Sequence, residues 1–349
     1  MIRKIRNAIR LADAHARRGE LSLWRQLAEM VVLWLWRRQG PSYYQLARFW
    51  RKDMPWRDKL DHLTEPEYRK AVDRLNPERY RKISQHKVVE KAVLTLLGFR
   101  TPAFLGYFHR TKGRTAAGKP LRNAAELEAL LTASSEERVC FKLVEGWGGS
   151  QFMAVRLLRE NGMPRLHDFE SGAVTTIQEW TNRLTLPEGY LIESYLEQHP
   201  RLAELNPTSL NTLRIWIVLT EQGGHIPGAF LRVGHAGSIV DNTSRGGLIC
   251  PIDLETGVMR YADEAGADRI THESHPDTHV PVSGVAIPHW EECKALAHEA
   301  LRAFPHMHFA GLDIAVGTDG PWIIELNMQP DRRAAADFDV PTARALKMN

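Results

Sequence analysis

Apolar positions form two closely spaced runs near the carboxyl end of the chain, residues 311–317 and 321–327. The segment between them, 318–320, has the sequence Thr-Asp-Gly, and a short Gly-containing segment between two apolar runs predicts a β-hairpin. If all three residues form the loop, with the glycine left-handed, Gly317 pairs with Pro321. This register defines which residues of the two strands lie opposite each other.

Three oxygen-bearing side chains fall on one face of the predicted hairpin. Asp313 lies opposite Glu325, and Asn327 shares the face of Glu325 because side chains two apart on a strand point the same way. Two carboxylates are costly to bury together unless a cation joins them. Hard oxygen ligands suit Mg²⁺, which usually keeps waters and substrate phosphates as its other ligands. The alternative interpretation is that these polar residues simply face water.

A second set of patterns lies upstream. Residues 140–144 form a short apolar run that contains Lys142, and residues 146–150 have the sequence Gly-Trp-Gly-Gly-Ser. Glycines after a strand let backbone N–H groups approach a phosphate, and a strand lysine adds a positive charge. The loop fits neither the Walker A nor the dinucleotide-binding pattern, and such loops are more often only tight turns. The runs 190–197 and 211–218 predict two more strands.

Composition places the chain among ordinary globular proteins. Of its 349 residues 43% are hydrophobic and 25% are charged. The three cysteines are widely separated, lack metal-binding spacing and are odd in number, which favours free thiols in a reducing cytoplasm. No apolar signal region follows the cationic start, and the apolar stretch 30–36 is far too short to span a membrane. We therefore expect a cytoplasmic protein.

The amino-terminal segment differs from the rest in charge. Residues 1–60 contain 14 Lys or Arg and 5 Asp or Glu, a net charge of +9, whereas the whole chain carries +4. They also contain five of the ten tryptophans. A basic helix with Trp and Leu can lie on an anionic membrane, here the inner membrane surface, or it can pack as a cap on the remaining chain. Packing is the favoured interpretation, and without a known docking motif nucleic-acid binding is not expected.

The order of these motifs resembles the ATP-grasp superfamily, and within it the sugar-transfer-associated branch. The resemblance spans roughly residues 84 to 332, although His86 stands where most relatives have Asp. It is carried by the following residues: His86-Lys87 before a helix that ends at Gly98-Phe99-Arg100-Thr101-Pro102, Lys142 with Gly146-Trp147-Gly148-Gly149, the segment from Ile192 to His199, Asn211-Thr212-Leu213-Arg214, Asp241-Asn242 with Gly246-Gly247, and Asp313, Glu325 and Asn327.

The resemblance implies an α+β fold in which two lobes clasp ATP. It divides the chain into a basic helical extension, 1–83, a small lobe, 84–190, and a large lobe, 191–349. Mg²⁺ would be held by Asp313, Glu325 and Asn327. The nucleotide would contact residues of both lobes: Lys87, Lys142, Gly146, Gly148 and Gly149 at the phosphates, Glu193, Tyr195 and Leu196 at adenine, and Glu197 or His199 at the ribose.

The same resemblance implies carboxylate–amine ligation. An acceptor carboxylate would attack the γ-phosphate of ATP, and an amine would capture the resulting acylphosphate, the acceptor being a peptide, a sugar or a surface-polysaccharide precursor. Arg214, Arg232 and Arg245 are candidates for holding the acceptor, because a guanidinium matches a carboxylate geometrically. Two alternatives stay open: phosphoryl transfer to a hydroxyl at the same site, and a non-catalytic nucleotide-binding partner of a membrane-associated assembly.

Overall fold

The computed structural model describes residues 2–146, 148–160, 163–266 and 268–347. Trp147 of the predicted glycine loop lies outside the described residues. The chain folds into an α+β structure with two antiparallel sheets and helices before, between and after them, which confirms the predicted fold class. No helix in the described ranges is long and apolar enough to cross a membrane.

The first sheet packs against an apolar core that contains Phe141, Trp180 and Ile192. Its strand order is β2-β1-β7-β3-β4-β5-β6, so the last strand in sequence is inserted between the first and third. Two helices, α8 and α9, pack on it. The elements are β1 (Phe104–Phe108), β2 (Arg114–Thr115), α8 (Ala124–Ala133), β3 (Arg138–Leu143), β4 (Met153–Glu160), β5 (Met163–Asp168), β6 (Val174–Thr176), α9 (Ile177–Arg183) and β7 (Tyr190–Ser194).

The second sheet has apolar clusters on both faces. Leu312 and Ile314 point into one cluster, while Trp216 and Phe309 belong to the other. The strand order is β12-β11-β10-β9-β8-β13-β14. The elements are α10 (Pro200–Ala203), β8 (Thr212–Thr220), β9 (Gly223–Val233), a 3-10 helix (Thr243–Arg245), β10 (Leu248–Pro251), β11 (Ala262–Glu264), β12 (Thr271–His272), α11 (Trp290–Ala303), β13 (Phe309–Gly317), β14 (Gly320–Asn327), α12 (Ala334–Asp337) and α13 (Thr342–Ala345).

The carboxyl-terminal hairpin has the predicted partners but not the predicted turn. Gly317 pairs with Gly320, so the loop has two residues and the predicted three-residue loop is wrong. An irregularity in the pairing next to Asp313 restores the register, and Asp313 lies opposite Glu325 as predicted. A β-bulge adds one residue to one strand, which here compensates for the shorter loop. Asp313 lies on the opposite face from the buried Leu312.

The amino-terminal helices form a separate apolar cluster around Leu33, Tyr44 and Phe49, which also contains Ala336 of α12. They precede the first sheet as a continuous series, and the last of them, α7, contributes Leu94 to the core of the second sheet. Their bounds are α1 (Ile2–Arg17), α2 (Leu23–Arg37), α3 (Pro41–Leu46), α4 (Trp56–Leu60), α5 (Glu65–Leu75), α6 (Glu78–Gln85) and α7 (Lys87–Leu96).

A buried ionic network fastens the amino-terminal helices to the second sheet. Arg48 pairs with Asp263 of β11, Arg269 lies 3.6 Å from the same carboxylate, and Arg269 also pairs with Asp337. Arg48, Asp263 and Arg269 are almost completely buried. Removing one partner of a buried ion pair strongly destabilises the folded state. The amino-terminal segment is therefore packed on the remaining chain, which was the favoured interpretation of its sequence.

Candidate functional site

Helix α7 lies between the two sheets. It begins at Lys87, and the side chain of His86 accepts a hydrogen bond from the backbone N–H of Val89, so that histidine serves as the helix N-cap. Lys87, Glu90 and Lys91 are three and four residues apart and share one face of the helix. These three side chains connect α7 to the polar groups of both sheets.

The first connection is a buried carboxylate between two lysines. Glu193 of β7 lies with one oxygen 2.6 Å from Lys91 Nζ and the other 2.5 Å from Lys142 Nζ of β3. Burial would raise the pKa of Glu193, but the two ammonium groups outweigh it and the pKa is lowered. Burial alone would lower the pKa of Lys142, but the Glu193 carboxylate outweighs this effect and the pKa is raised. Lys142 is thus held charged and fixed in position.

The second connection joins α7 to the hairpin. Lys87 Nζ lies 3.5 Å from Glu325 Oε1 and 3.3 Å from the carbonyl oxygen of Gly146. Glu90 is buried and accepts a hydrogen bond from the backbone N–H of Leu326. Burial and the negative charge of Glu325 raise the pKa of Glu90 well above its ordinary value. The hairpin carboxylate thus recruits a lysine, as expected for two acidic side chains placed together.

Asp313 is neutralised by arginines rather than by a lysine. Its Oδ1 lies 2.5 Å from Arg214 Nε, and its Oδ2 lies 2.9 Å from Arg232 Nη2. Burial would raise the pKa of Asp313, but these two guanidinium groups lower it. Arg214 projects from β8 on the face opposite to the buried Leu213 and Ile215, as its strand alternation predicts.

A second layer of contacts fixes Arg232. Its guanidinium donates to Thr212 Oγ1 at 2.6 Å and lies 3.5 Å from Asp241 Oδ2. The same oxygen of Asp241 accepts from the backbone N–H of Thr212 at 2.9 Å and from its hydroxyl. Burial raises the pKa of Asp241. Arg232 is therefore held by three groups.

The carboxylate of Glu325 interacts electrostatically with cationic residues of both sheets. Its negative charge raises the pKa of Lys142 on the first sheet and of Arg232 on the second, after the larger effects of burial and of their direct partners. Its side chain is 29% exposed, whereas Asp313 is buried. The site thus has an accessible carboxylate with cationic groups on both sides.

The glycine loop follows β3 directly. Gly148 and Gly149 have φ values of 62° and 70°, a left-handed conformation that side chains rarely adopt. A Cβ atom on Gly149 would lie 3.6 Å from Val240 Cγ1, so the loop passes close to the second sheet's half of the chain. The carbonyl of Gly146 receives Lys87, which places the loop next to the lysines.

The remaining predicted residues lie around the end of β7. Tyr195 packs against the guanidinium of Arg138, and the exposed Glu197 pairs with the same arginine. Leu196 lies between them and is partly buried. His199 caps the short helix α10 by accepting from the backbone N–H of Arg201.

Arg245 lies apart from the other arginines. It ends the 3-10 helix and pairs with Glu170, on the turn after β5, at 3.3 Å with both side chains exposed. This pair joins the two halves of the chain at their outer rim. Arg214 and Arg232 are the members of the predicted arginine set that converge on the Asp313 carboxylate.

The donor set fits Mg²⁺. Asp313 and Glu325 are cross-strand partners, and Asn327 stands opposite Gly311 two positions further on. A carboxylate has about four lone-pair sites, so Asp313 can contact two guanidinium groups and still ligate a cation. Carboxylate and amide oxygens are ligands that Mg²⁺ accepts, with waters and substrate phosphates as its other ligands.

Four contributing residues were not predicted as site residues from the sequence. Lys91 and Glu90 lie on a helix outside the strand and glycine motifs, although their spacing from Lys87 places all three on one helix face. Thr212 and Asp241 lie within quoted motifs, but only the folded register shows that they support Arg232. Helical spacing was thus the one signal that sequence reasoning could have used.

Comparison with solved structures finds neighbours of low sequence identity. An L-amino acid ligase from Bacillus licheniformis is 12% identical with a TM-score of 0.39, covering 76% of this chain and 48% of its own. Carboxyaminoimidazole ribonucleotide synthase from Aspergillus clavatus, complexed with ATP, is 13% identical with a TM-score of 0.46, covering 83% and 59%. D-alanyl-alanine synthetase A from Vibrio cholerae is 11% identical with a TM-score of 0.40, covering 73% and 59%.

The chain thus spans between about half and three fifths of the length of these neighbours. No curated protein matches it in sequence. The family model described as sugar-transfer associated ATP-grasp matches residues 68–346, which include both sheets and helix α7. The chain therefore belongs to the sugar-transfer-associated ATP-grasp family.

Proposed function

We propose that this protein is an ATP-dependent ligase that joins a carboxylate to an amine through an acylphosphate. The observation that carries the proposal is the position of Glu325, which lies 3.5 Å from Lys87 Nζ and directly across the hairpin from Asp313, the partner of Arg232. Fixed cations on two sheets around an accessible carboxylate suit a nucleotide triphosphate bound with a divalent metal. The ligase neighbours and the family assignment support the same class of enzyme.

In this proposal the lysines hold the phosphates. Lys87 and Lys142 would contact phosphate oxygens, and the backbone of Gly146, Gly148 and Gly149 would approach them. The resemblance implies that Glu193 meets adenine, but both of its oxygens contact lysines. We therefore assign Glu193 the role of positioning Lys142, and leave adenine to Tyr195 and Leu196, with the ribose near Glu197 or His199.

The arginines would serve the acceptor. Arg214 has Asp313 as its ion-pair partner within the described ranges, and Arg232 contacts the same carboxylate. Each guanidinium has five N–H donors, more than its contacts with Asp313 use, so the pair could donate further hydrogen bonds to a second anion, such as an acceptor carboxylate or an acylphosphate. Arg245 could reach the acceptor only by leaving Glu170, and an exposed pair of this kind contributes about 0–1 kcal/mol.

The chemistry divides between the protein and the bound cation. Mg²⁺ held by Asp313, Glu325 and Asn327 would neutralise phosphate charge and polarise the γ-phosphate. The arginines would orient the acceptor carboxylate for attack on the γ-phosphorus, with ADP leaving. An amine would then attack the acyl carbon, phosphate would leave, and an amide would form. The family's association with sugar transfer favours a sugar acid or a polysaccharide precursor as the acceptor.

The test uses hydroxylamine as a substitute amine. The protein is incubated with Mg²⁺, ATP and separate pools of sugar acids, amino acids and peptides whose carboxylates carry ¹⁸O. A ligase yields a hydroxamate, ADP and inorganic phosphate that contains one ¹⁸O from the acceptor. A product that has gained the mass of a phosphate group on a hydroxyl, with no hydroxamate, would instead establish a phosphotransferase.

A further inference from the structure

Helix α2 buries two polar side chains and exposes most of its large apolar ones. Gln26 and Glu29 are buried together with Met30 and Leu33. Among the described residues, α2 supplies six of the fifteen exposed large hydrophobic side chains. These six define a surface that we call the α2 apolar face: Trp24, Val31, Val32, Trp34, Leu35 and Trp36.

The inward polar residues of α2 fix this orientation. Glu29 accepts a hydrogen bond from Tyr44 at 2.8 Å and lies 2.7 Å from Lys59 Nζ, and both partners are buried. Gln26 donates to the carbonyl oxygen of Leu21 at 2.6 Å. A rotated helix would leave these buried groups without partners, which costs about 1–3 kcal/mol for each group. The outward apolar side chains are thus a consequence of specific internal contacts.

The α2 apolar face is continuous along the helix. Trp24, Val31 and Leu35 are separated by seven and four residues and therefore lie on one line. They are 78%, 56% and 60% exposed. An apolar surface of this kind on a folded chain marks a site of interaction rather than a scattered exposure of single residues.

The charges on α2 define the partner. Its single acidic residue, Glu29, faces inward between the buried Lys59 and Arg25, whose Nε lies 3.3 Å from it, so these residues and the exposed Arg38 leave a net positive charge beside the apolar face. Residues 1–60 carry a net charge of +9. Tryptophan prefers the interface of a bilayer, where its ring meets both acyl chains and headgroups. A helix with these features lies in the interfacial plane of an anionic membrane.

The length of α2 excludes a spanning arrangement. Its 15 residues extend about 22 Å at 1.5 Å per residue, less than the roughly 30 Å of a hydrocarbon core. We propose that α2 lies flat on the surface of an anionic phospholipid bilayer, with Trp24, Val31 and Leu35 inserted and the neighbouring arginines at the headgroups. This docking is independent of the ligase reaction, because the site residues lie on α7 and the two sheets.

The experiment measures vesicle binding by the full chain. Sedimentation is performed with vesicles of phosphatidylcholine alone and with vesicles containing about one third phosphatidylglycerol. We expect binding to the anionic vesicles only, with a steep loss as the screening length falls from about 10 Å at 0.1 M salt to about 3 Å at 1 M. Bilayers with brominated acyl chains should quench part of the tryptophan fluorescence.

A triple variant identifies the surface. Trp24→Gln with Val31→Gln and Leu35→Gln should lower the partition coefficient at least about tenfold, since it removes most of the inserted apolar area. The matched control is Leu96→Gln with Val174→Gln and Leu186→Gln, which changes three exposed apolar residues elsewhere and should bind as the unaltered chain does. Circular dichroism checks that both variants fold.

Three results would overturn the proposal. The first is equal binding of the triple variant and the unaltered chain, and the second is absence of bromine quenching while vesicles sediment. The third is a dimer in light scattering that the triple variant converts to a monomer, without vesicle binding. That last result would assign the α2 apolar face to contact between two copies of the chain.

Discussion

Substitution of Glu193 by Gln tests whether this residue positions Lys142 or contacts the nucleotide base. The change keeps the shape of the side chain but removes the charge between Lys91 and Lys142, whose ammonium groups lie 2.6 Å and 2.5 Å from it. Both lysines then stay in a buried site without their counter-ion. The free energy of unfolding should fall, and nucleotide affinity should fall with it because Lys142 is no longer fixed.

The magnitude follows from the burial and the contacts of this group. Removing one partner of a buried ion pair costs about 3–5 kcal/mol, and two hydrogen bonds to charged groups, each contributing about 1.5–3 kcal/mol, give a similar value. For a chain of 349 residues, an unfolding entropy of about 2.1 cal/mol/K per residue implies that the midpoint of thermal unfolding falls by roughly 4–7 °C. Calorimetry measures this shift, and isothermal titration with ATP and Mg²⁺ measures the loss of affinity.

The matched control is Glu197→Gln, four residues further along the same segment. Its side chain is 69% exposed, so its unfolding free energy should change by less than about 0.5 kcal/mol. The reasoning is refuted if Glu193→Gln unfolds like the unaltered chain. If Glu193→Gln has normal stability but an altered preference between ATP and GTP, Glu193 contacts adenine instead of positioning Lys142.

Three further predictions concern the site and the amino-terminal helices. Lys142→Ala should weaken ATP binding by about 1.5–3 kcal/mol in calorimetry, whereas Lys119→Ala, on the exposed surface, should not; equal affinities would make Lys142 only a strand residue. Glu325→Gln should keep the fold, weaken Mg²⁺ binding and strongly reduce ATP turnover, and full Mg²⁺-dependent turnover in this variant would refute the metal assignment. Burial lowers the pKa of His62 to about 4, below its value of about 6.5 in the unfolded chain, so its stabilising contribution is present above pH 6.5 and is lost as the pH falls towards 4. The loss is about 3 kcal/mol, and urea titrations should show it in the unaltered chain but not in His62→Gln; an identical pH dependence of both would contradict the assignment.

The local patterns of the sequence predict much of the fold. The hairpin, the strand that carries Lys142, and the strand near 211–218 come from hydrophobic periodicity, which depends only on neighbouring residues. The pairing of Asp313 with Glu325 was confirmed although the loop was wrong, because a shorter loop and a bulge compensate each other. Bulges leave no clear signal in the spacing of apolar residues, since one extra residue can be accommodated at several positions.

The partners of the charged residues could not be predicted in the same way. Arg214 and Arg232 were expected to face an acceptor, and both contact Asp313. Lys91 lies near Glu193 only because α7 packs between the sheets, and residues about a hundred positions apart give no local pattern. Side-chain pairing of this kind depends on the packing of whole elements, which single-sequence periodicity does not encode.

The buried pair of Lys91 and Glu193 has a consequence for motion. It joins α7, whose Leu94 packs in the core of the second sheet, to β7 of the first sheet. Separating the pair would cost several kcal/mol, whereas the exposed contact of Arg245 with Glu170 at the outer rim contributes about 0–1 kcal/mol. We therefore expect the two halves to stay joined at the buried pair when they move relative to each other. The exposed contact of Arg245 with Glu170 should separate first.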